Sequence, residues 1–313
     1  MTERQSRRRM LRTLVGAAIA TAVAPTTVMA QSLAKDEKSP VKANPSNRIS
    51  LAQWSLHRMI KAGSLAALDF PQFARTTFGI AGVEYVSTFY RGMAADDLWV
   101  KDLRKRADGA GVTSVLIMVD GEGELGVKES SARRSAVEAH RRWLDAAAVL
   151  GCHSIRVNAL GVGTSAEQIA QCADGLSQLS ALALPMKLNV LVENHGGLSC
   201  DGAWVAKVVG AVGAPNCGTL PDFGNFRCDD GAMGDRYAGV AAMMPFARAV
   251  SAKSHDFDAA GAETATDYAK MLTIVRSTRY SGWIGAEYEG DRLSEVDGTK
   301  ATRDLLIKLG CTL

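Results

Sequence analysis

The stretch LNVLVENHG, residues 188–196, is a short apolar run that ends in Glu193 and His195. Three later segments follow the same plan, with Asp222, His255 and Glu287 near their ends: CGTLPDFGN at 217–225, AVSAKSHDF at 249–257 and WIGAEYEG at 283–290. Such runs are typical of buried parallel strands, whose carboxyl ends carry the catalytic groups of an α/β barrel. Two glutamates, one aspartate and one histidine at one mouth predict a mostly oxygen cage for a divalent cation, with Mn²⁺ or Mg²⁺ favoured.

The rest of the chain continues this alternation of strands and helices. Strands are predicted at 49–54, 82–86, 114–119, 154–158, 189–193, 218–222, 250–255 and 283–287. Amphipathic segments such as 132–150 lie between them. An eightfold βα alternation favours a closed parallel barrel over a doubly wound sheet, so we predict an α/β fold, a single-domain (β/α)₈ TIM barrel over 48–313. The sequence has no Walker loop and no GxGxxG fingerprint, which leaves a nucleotide site without support.

The first thirty residues predict an export signal. The twin-arginine pattern SRRRMLR at 6–12 precedes an apolar run at 14–23 and a small-residue site, after which cleavage at Ala30 is expected. The apolar run is well short of the roughly 20 residues that a membrane-spanning helix needs. We therefore predict a twin-arginine signal peptide over 1–30, a flexible linker over 31–47, passage through the Tat translocon and a periplasmic location.

The charge of the mature chain argues against a nucleic-acid partner. The formal net charge of the 313 residues is +3, but five arginines and one glutamate fall in the predicted signal, so the remaining 283 residues carry −1. A chain without excess positive charge lacks the electrostatic footprint of a nucleic-acid-binding protein. The remaining length suits one barrel of roughly 250 residues plus a tail.

All six cysteines lie in the part that is predicted to be exported, where disulfides are permitted. They are Cys152, Cys172, Cys200, Cys217, Cys228 and Cys311. None shows CxxC spacing, so we expect most of them to be buried thiols. Cys200 and Cys228 are the pair to test first, because both follow neighbouring predicted strands.

The order VENHGG, LPDFGNF, SAKSHDF and GAEYEG resembles the xylose isomerase-like TIM barrel superfamily, the sugar phosphate isomerase/epimerase group, over 49–313. Its members include ketose 3-epimerases, hydroxypyruvate isomerases, inosose and dehydroshikimate dehydratases, and the endonuclease IV type of repair enzyme. The resemblance implies a metal site formed by Glu193, Asp222, a residue of strand seven and Glu287. In epimerase-like members, the glutamates that match Glu193 and Glu287 also exchange protons with the substrate.

Elementary chemistry agrees with this implication. A cation held by two carboxylates can chelate a carbonyl oxygen and the neighbouring hydroxyl of a sugar, which acidifies the C–H between them and stabilises an enediolate. The carboxylates of Glu193 and Glu287 can then act as base and acid. Return of the proton to the other carbon isomerises the sugar, return to the opposite face epimerises it, and loss of a β-substituent eliminates. Co²⁺ or Zn²⁺ would also suit a carboxylate set that includes a histidine.

Strand seven departs from the family pattern. Many members carry His-x-Lys-Asp there, with the histidine as ligand, whereas this chain has Ser251-Ala252-Lys253-Ser254-His255. Ser251, Lys253 and His255 share strand parity, so His255 is predicted as the metal ligand from the strand end. Lys253 is predicted as a catalytic or oxyanion-stabilising group, with the alternative that His255 is only its neighbour.

A structural role stays open for several of these residues. Glu193 and Glu287 need a partner because a buried unpaired carboxylate is costly, and that partner is either a metal or a salt bridge. Asp222 is either a ligand or a turn residue before Gly224. The residues predicted to bind substrate are His195, Glu84, Arg156, Asn158, Asn225 and Trp54. His195 is alternatively structural, and Arg156 alternatively pairs with a nearby glutamate.

The leading hypothesis is a periplasmic, divalent-metal-dependent sugar isomerase or epimerase that acts through an enediolate on a small carbohydrate. Asn225 stands where ketose epimerases of the superfamily often have a substrate-binding histidine, which weakens that particular activity. The alternatives are a metal-dependent lyase or hydratase on keto-sugars or keto-glycosides, and a sugar-binding barrel without catalysis. A homo-oligomer is compatible with all three, since many barrels pair through loops near the site.

Overall fold

The computed structural model describes residues 47–93 and 97–313, in which eight parallel strands alternate with helices. The strands are β1 (Arg48–Ala52), β2 (Gly82–Val86), β3 (Thr113–Met118), β4 (Ser154–Asn158), β5 (Asn189–Glu193), β6 (Cys217–Leu220), β7 (Val250–Ser254) and β8 (Trp283–Tyr288). The helices are α1 (His57–Lys61), α2 (Phe70–Phe78), α3 (Asp97–Gly109), α4 (Ser130–Leu150), α5 (Ser165–Ala183), α6 (Gly202–Val212), α7 (Arg236–Met243), α8 (Tyr268–Ser277) and α9 (Glu295–Lys308).

The sheet runs in the order β6-β5-β4-β3-β2-β1-β8-β7, and a looser seam joins β6 to β7. Two isolated parallel bridges form this seam, Thr219 with Ala247 and Asp222 with Ser251. The Ser251 N–H donates to the carbonyl of Pro221 at 2.9 Å, and its carbonyl accepts from Phe223 N–H at 3.1 Å. Pro221 follows the last residue of β6 and has no N–H to continue the ladder. The barrel therefore closes where Asp222 leaves the strand.

The predicted (β/α)₈ barrel is confirmed. Each predicted strand overlaps an observed one, with ends that differ by at most two residues. The predicted signal and nearly all of the predicted linker lie outside the described residues. Asn47, assigned to that linker, belongs to the barrel instead: its side chain is buried and donates to the Tyr280 carbonyl at 3.0 Å. Among residues 47–93 and 97–313, no helix is long and apolar enough to cross a membrane.

Apolar side chains fill two separate regions because the strands alternate between two faces. The larger cluster lies between the strands and the helices and includes Phe70 of α2 and Trp143 of α4. A smaller cluster includes Leu116 of β3, Leu191 of β5 and Leu220 of β6. This second cluster fills the barrel interior and supports the charged side chains at its mouth.

Glu84 of β2, which was predicted to bind substrate, is enclosed in this interior. Its side chain is buried, and one carboxylate oxygen accepts from Ser50 Oγ at 2.5 Å, while the other has no hydrogen-bond partner in the described part of the barrel. Gly285 of β8 makes room for the carboxylate, because a Cβ there would lie 2.7 Å from both Glu84 oxygens. Burial raises the pKa of Glu84 to about 8.

This pKa predicts a specific pH dependence of stability. Native Glu84 keeps its proton up to about pH 8, whereas the unfolded carboxyl loses its own near the ordinary value of 4.5. The folded state therefore binds more protons between these values, and the free energy of unfolding falls as the pH rises, by up to about 5 kcal/mol from this group. Glu84→Gln should flatten that slope in urea unfolding with chelator present. The exposed Glu138→Gln on α4 is the control, and an unchanged slope in Glu84→Gln would contradict the assignment.

Candidate functional site

Three buried carboxylates meet at the mouth of the barrel, and we call them the acidic triad. Glu193 is the last residue of β5, Asp222 follows β6 by two residues, and Glu287 lies near the end of β8. One oxygen of each side chain lies within 4.8 Å of the others. Parallel strands of a barrel end at the same rim, which is why residues so far apart in sequence converge here.

Neighbouring polar groups fix each carboxylate while leaving oxygens free. Asp222 Oδ1 accepts from the N–H groups of Gly224 at 2.8 Å and Asn225 at 2.7 Å, so one oxygen holds the turn. Its Oδ2 has no hydrogen-bond partner among the described residues. Ser251 Oγ donates to Glu287 Oε2 at 2.7 Å, and Asn225 Nδ2 donates to Glu193 Oε1 at 3.1 Å. Asp222 thus serves the predicted turn and still offers an oxygen to a ligand.

Two buried cations stand beside the triad. Lys253 Nζ lies 3.4 Å from Glu287 Oε1, 3.9 Å from Asp222 Oδ2 and 3.1 Å from Glu289 Oε2. Arg156 Nε lies 2.7 Å from Glu193 Oε2, but its N–H does not point at that oxygen, so the contact is an ion pair without a hydrogen bond. Arg156 also pairs with Asp120 at 2.7 Å. The predicted pairing of Arg156 with a glutamate is therefore present.

These two cations do not balance the carboxylates around them. Burial raises the pKa of Glu193 well above its usual range, and Asp222 and Glu287 add to that shift. Burial also raises the pKa of Asp222, and Glu287 adds to it. Burial alone would lower the pKa of Lys253, but Glu287, Asp222 and Glu289 hold it well above its ordinary value. A divalent cation bound by oxygens of Glu193, Asp222 and Glu287 would relieve this repulsion. The donor set therefore fits a hard metal ion.

A cavity of about 280 Å³ opens beside the triad, and we call it the acidic pocket. Its lining includes Trp54, Asp120, Arg156, His195, Lys253, Glu287 and Glu289. The Trp54 indole stacks on His57 at 4.7 Å between ring centroids, which fixes an aromatic wall beside the polar groups. An aromatic wall facing hydrogen-bonding groups is suited to a sugar, which has apolar C–H faces and polar edges.

Asp120 was not predicted from the sequence, although it obeys the same strand-end rule. Asp120 follows β3 by two residues and accepts from Arg156 at 2.7 Å and Asn158 Nδ2 at 2.8 Å. Burial would raise the pKa of Asp120, but the adjacent Arg156 guanidinium lowers it to about 2. Asn158 is thereby engaged with Asp120 and Arg156 and does not line the acidic pocket. The apolar run 114–119 that precedes Asp120 was the signal that could have found it.

Two predicted residues lie elsewhere. The prediction that His255 binds the metal is not supported, because β7 ends at Ser254 and the exposed His255 lines a neighbouring cleft outside the triad. The prediction that Glu84 contacts substrate is not supported, because its carboxylate is enclosed against Gly285. Asn225 lies at the triad and accepts from Lys253 Nζ at 3.1 Å. His195 lies at the edge of the acidic pocket.

A disulfide braces the loops beside this site. Cys200 and Cys228 are bonded, with 5.3 Å between their Cα atoms, which confirms the pair chosen from the sequence. The other four cysteines are buried thiols, as expected. The bond ties the turn after β5 to the loop after β6, so the segments that follow Glu193 and Asp222 are held together.

The family assignment comes from a match between residues 72–309 and the model of the xylose isomerase-like TIM barrel family. The chain belongs to this family. The sequence-based resemblance is therefore confirmed. No curated protein matches the chain.

Solved structures share the fold at low sequence identity. The IolI protein with a bound zinc atom is 14% identical with a TM-score of 0.65, over 84% of this chain and 96% of its own. The probable 3-DHS dehydratase AsbF of Bacillus anthracis is 17% identical with a TM-score of 0.61, over 83% and 98%. The 3-keto-D-glucoside 4-epimerase YcjR of E. coli is 15% identical with a TM-score of 0.59, over 78% and 94%. These likenesses establish the fold, and the reaction has to be argued from the site.

Proposed function

We propose that the chain is a divalent-metal-dependent isomerase or epimerase that acts on a keto-sugar through an enediolate. The observation that carries this proposal is the acidic triad, in which Glu193 Oε2 and Asp222 Oδ2 are buried beside an open cavity and receive no hydrogen bond from residues 47–93 and 97–313. Related folds include epimerases and a dehydratase, which supports chemistry next to a carbonyl. The zinc atom bound by another structural neighbour supports a metal in this fold.

The residues around the cavity suit enolisation. Glu193, Asp222 and Glu287 would hold the divalent cation, which would supply Lewis-acid polarisation of the sugar carbonyl and so acidify the neighbouring C–H. Glu193 and Glu287 extend from β5 and β8, so they can remove and return a proton at neighbouring positions. Lys253 Nζ can donate to the oxygen that becomes negative, and its pairs with Glu287 and Glu289 hold it in place. Trp54 can pack against the sugar ring and help exclude water.

Hydrogen exchange at carbon tests this proposal directly. Wild-type protein loaded with Mn²⁺ should incorporate deuterium from D₂O next to the carbonyl of at least one keto-sugar in a panel that includes 3-keto-glucosides, as seen by NMR. Glu193→Gln and Glu287→Gln should each lower the rate by at least about 100-fold, since each removes a proton-transfer group. Glu138→Gln on the surface of α4 is the control.

The products separate the remaining reactions. Exchange with an isomeric sugar as product supports the proposal, whereas exchange with loss of a β-substituent would assign the alternative lyase. Saturable binding of the same sugars by metal-loaded protein without exchange would contradict enzymatic enolisation and favour a sugar-binding barrel.

We also infer that the chain is exported to the periplasm by the twin-arginine route. The SRRRMLR motif at 6–12 supports this inference, and so does the Cys200–Cys228 disulfide, a bond that persists in oxidising compartments. Replacement of Arg7 and Arg8 by lysine should leave the full-length precursor in the cytoplasmic fraction, whereas the wild-type chain should appear in the periplasm about 30 residues shorter. Periplasmic recovery of the double variant would contradict the inference.

A further inference from the structure

A second cavity, of about 450 Å³, lies beside the acidic pocket and has the opposite charge. We call it the cationic cleft. Its charged and titratable lining residues are Arg227, Arg236, His195 and His255, and none of the described aspartates or glutamates is among its lining residues. The acidic pocket, by contrast, is lined by three carboxylates, Asp120, Glu287 and Glu289, against two cations, Arg156 and Lys253. The mouth of the barrel therefore presents two compartments that would attract different ends of one ligand.

The two arginines of the cleft have no carboxylate partners within the described part of the chain. Arg236 donates to Thr266 Oγ1, and neither Arg236 nor Arg227 forms an ion pair there. Elsewhere in the barrel, Arg106 and Arg133 contact aspartates. Two guanidinium groups that face a cavity without a counter-charge are suited to an oxyanion, which can accept two parallel hydrogen bonds from each.

The cleft and the acidic pocket lie side by side. His195 lines both of them. Gly224 lies at their junction, since a Cβ at this position would be 3.0 Å from Lys253 Cγ and 3.3 Å from His255 Nε2. A ligand whose reacting carbon lies near Lys253 can therefore extend past Gly224 toward the arginines.

The loop that carries Arg227 is held in place before any ligand binds. Arg227 pairs with Met233 in an antiparallel bridge, and Gly234 N–H donates to the Phe226 carbonyl at 2.8 Å. The neighbouring Cys228 is tied to Cys200 by the disulfide. A preorganised loop loses little conformational freedom on binding, which favours affinity.

We propose that the cationic cleft binds an anionic group, a carboxylate or a phosphate, at the far end of a sugar whose carbonyl lies in the acidic pocket. This inference rests on the proposed function for the position of the carbonyl. The cleft itself is assigned by the charge and geometry of Arg227, Arg236, His195 and His255. Neutral sugars of the same size would lack the group that these residues recognise.

Histidine NMR tests the cleft separately from catalysis. The chain has five histidines, and His195→Asn and His255→Asn assign the two that line the cleft. Ring-labelled, metal-free protein is titrated with glucuronate, glucose 6-phosphate and glucose. At least one anionic sugar should shift the His195 and His255 signals saturably, and glucose should not; the tighter of the two anions identifies carboxylate or phosphate as the group.

Matched variants decide whether the arginines are responsible. Arg227→Ala and Arg236→Ala should each weaken anion binding roughly tenfold, the loss expected for one charge-assisted contact. The exposed Arg134→Ala on α4 should bind as the wild type does. Equal binding by the two cleft variants, equal shifts with glucose, or no shift with either anion would overturn the proposal. Failure of carbon-bound hydrogen exchange alongside intact anion binding would overturn only the proposed reaction.

Discussion

The site is organised by an excess of buried negative charge that the chain does not fully neutralise. Glu193, Asp222 and Glu287 place oxygens within 4.8 Å of one another, and only Lys253 and Arg156 approach them as cations within the described part of the chain. Carboxylates withdrawn from water repel one another strongly, so such a cluster persists only with a cation or with bound protons. Burial raises the pKa of Glu193, and repulsion from Asp222 and Glu287 adds to that rise. A bound divalent cation would neutralise this excess negative charge and would explain why the three carboxylates are clustered.

The barrel fold brings these charged side chains together and supports them from below. Eight parallel strands end at one rim, and Leu116, Leu191 and Leu220 fill the interior beneath it. The seam between β6 and β7 lies at Asp222 and Ser251, where the chain uses loop hydrogen bonds instead of a regular ladder. Because Asp222 lies at this seam, one of its oxygens can accept from the turn that follows, and the other is left for a ligand. Ser251, in turn, orients Glu287.

Sequence reasoning found the acidic triad, whose members end or closely follow predicted strands, but it overlooked Asp120 after β3 and the arginines beyond β6. Glu193 and Glu287 could be placed because each follows a short apolar run typical of a buried parallel strand, whose end lies at the barrel mouth. His255 could not, because the end of β7 at Ser254 is set by contacts with the neighbouring strand and not by local pattern. Arg227 lies in the loop that the disulfide holds, and Arg236 begins α7 after that loop, so no periodic apolar run marks either of them.

The most direct test of a metal at the acidic triad is elemental analysis of purified protein, reconstituted with Mn²⁺ and then freed of excess metal by gel filtration. We predict about one divalent ion per chain in the wild type, a raised Tm on loading, and loss of both in Asp222→Asn. A wild-type chain that keeps no metal after reconstitution and shows no change in Tm would contradict this prediction. The negative charge of the acidic triad would then be neutralised by Lys253, Arg156 and bound protons, without a metal.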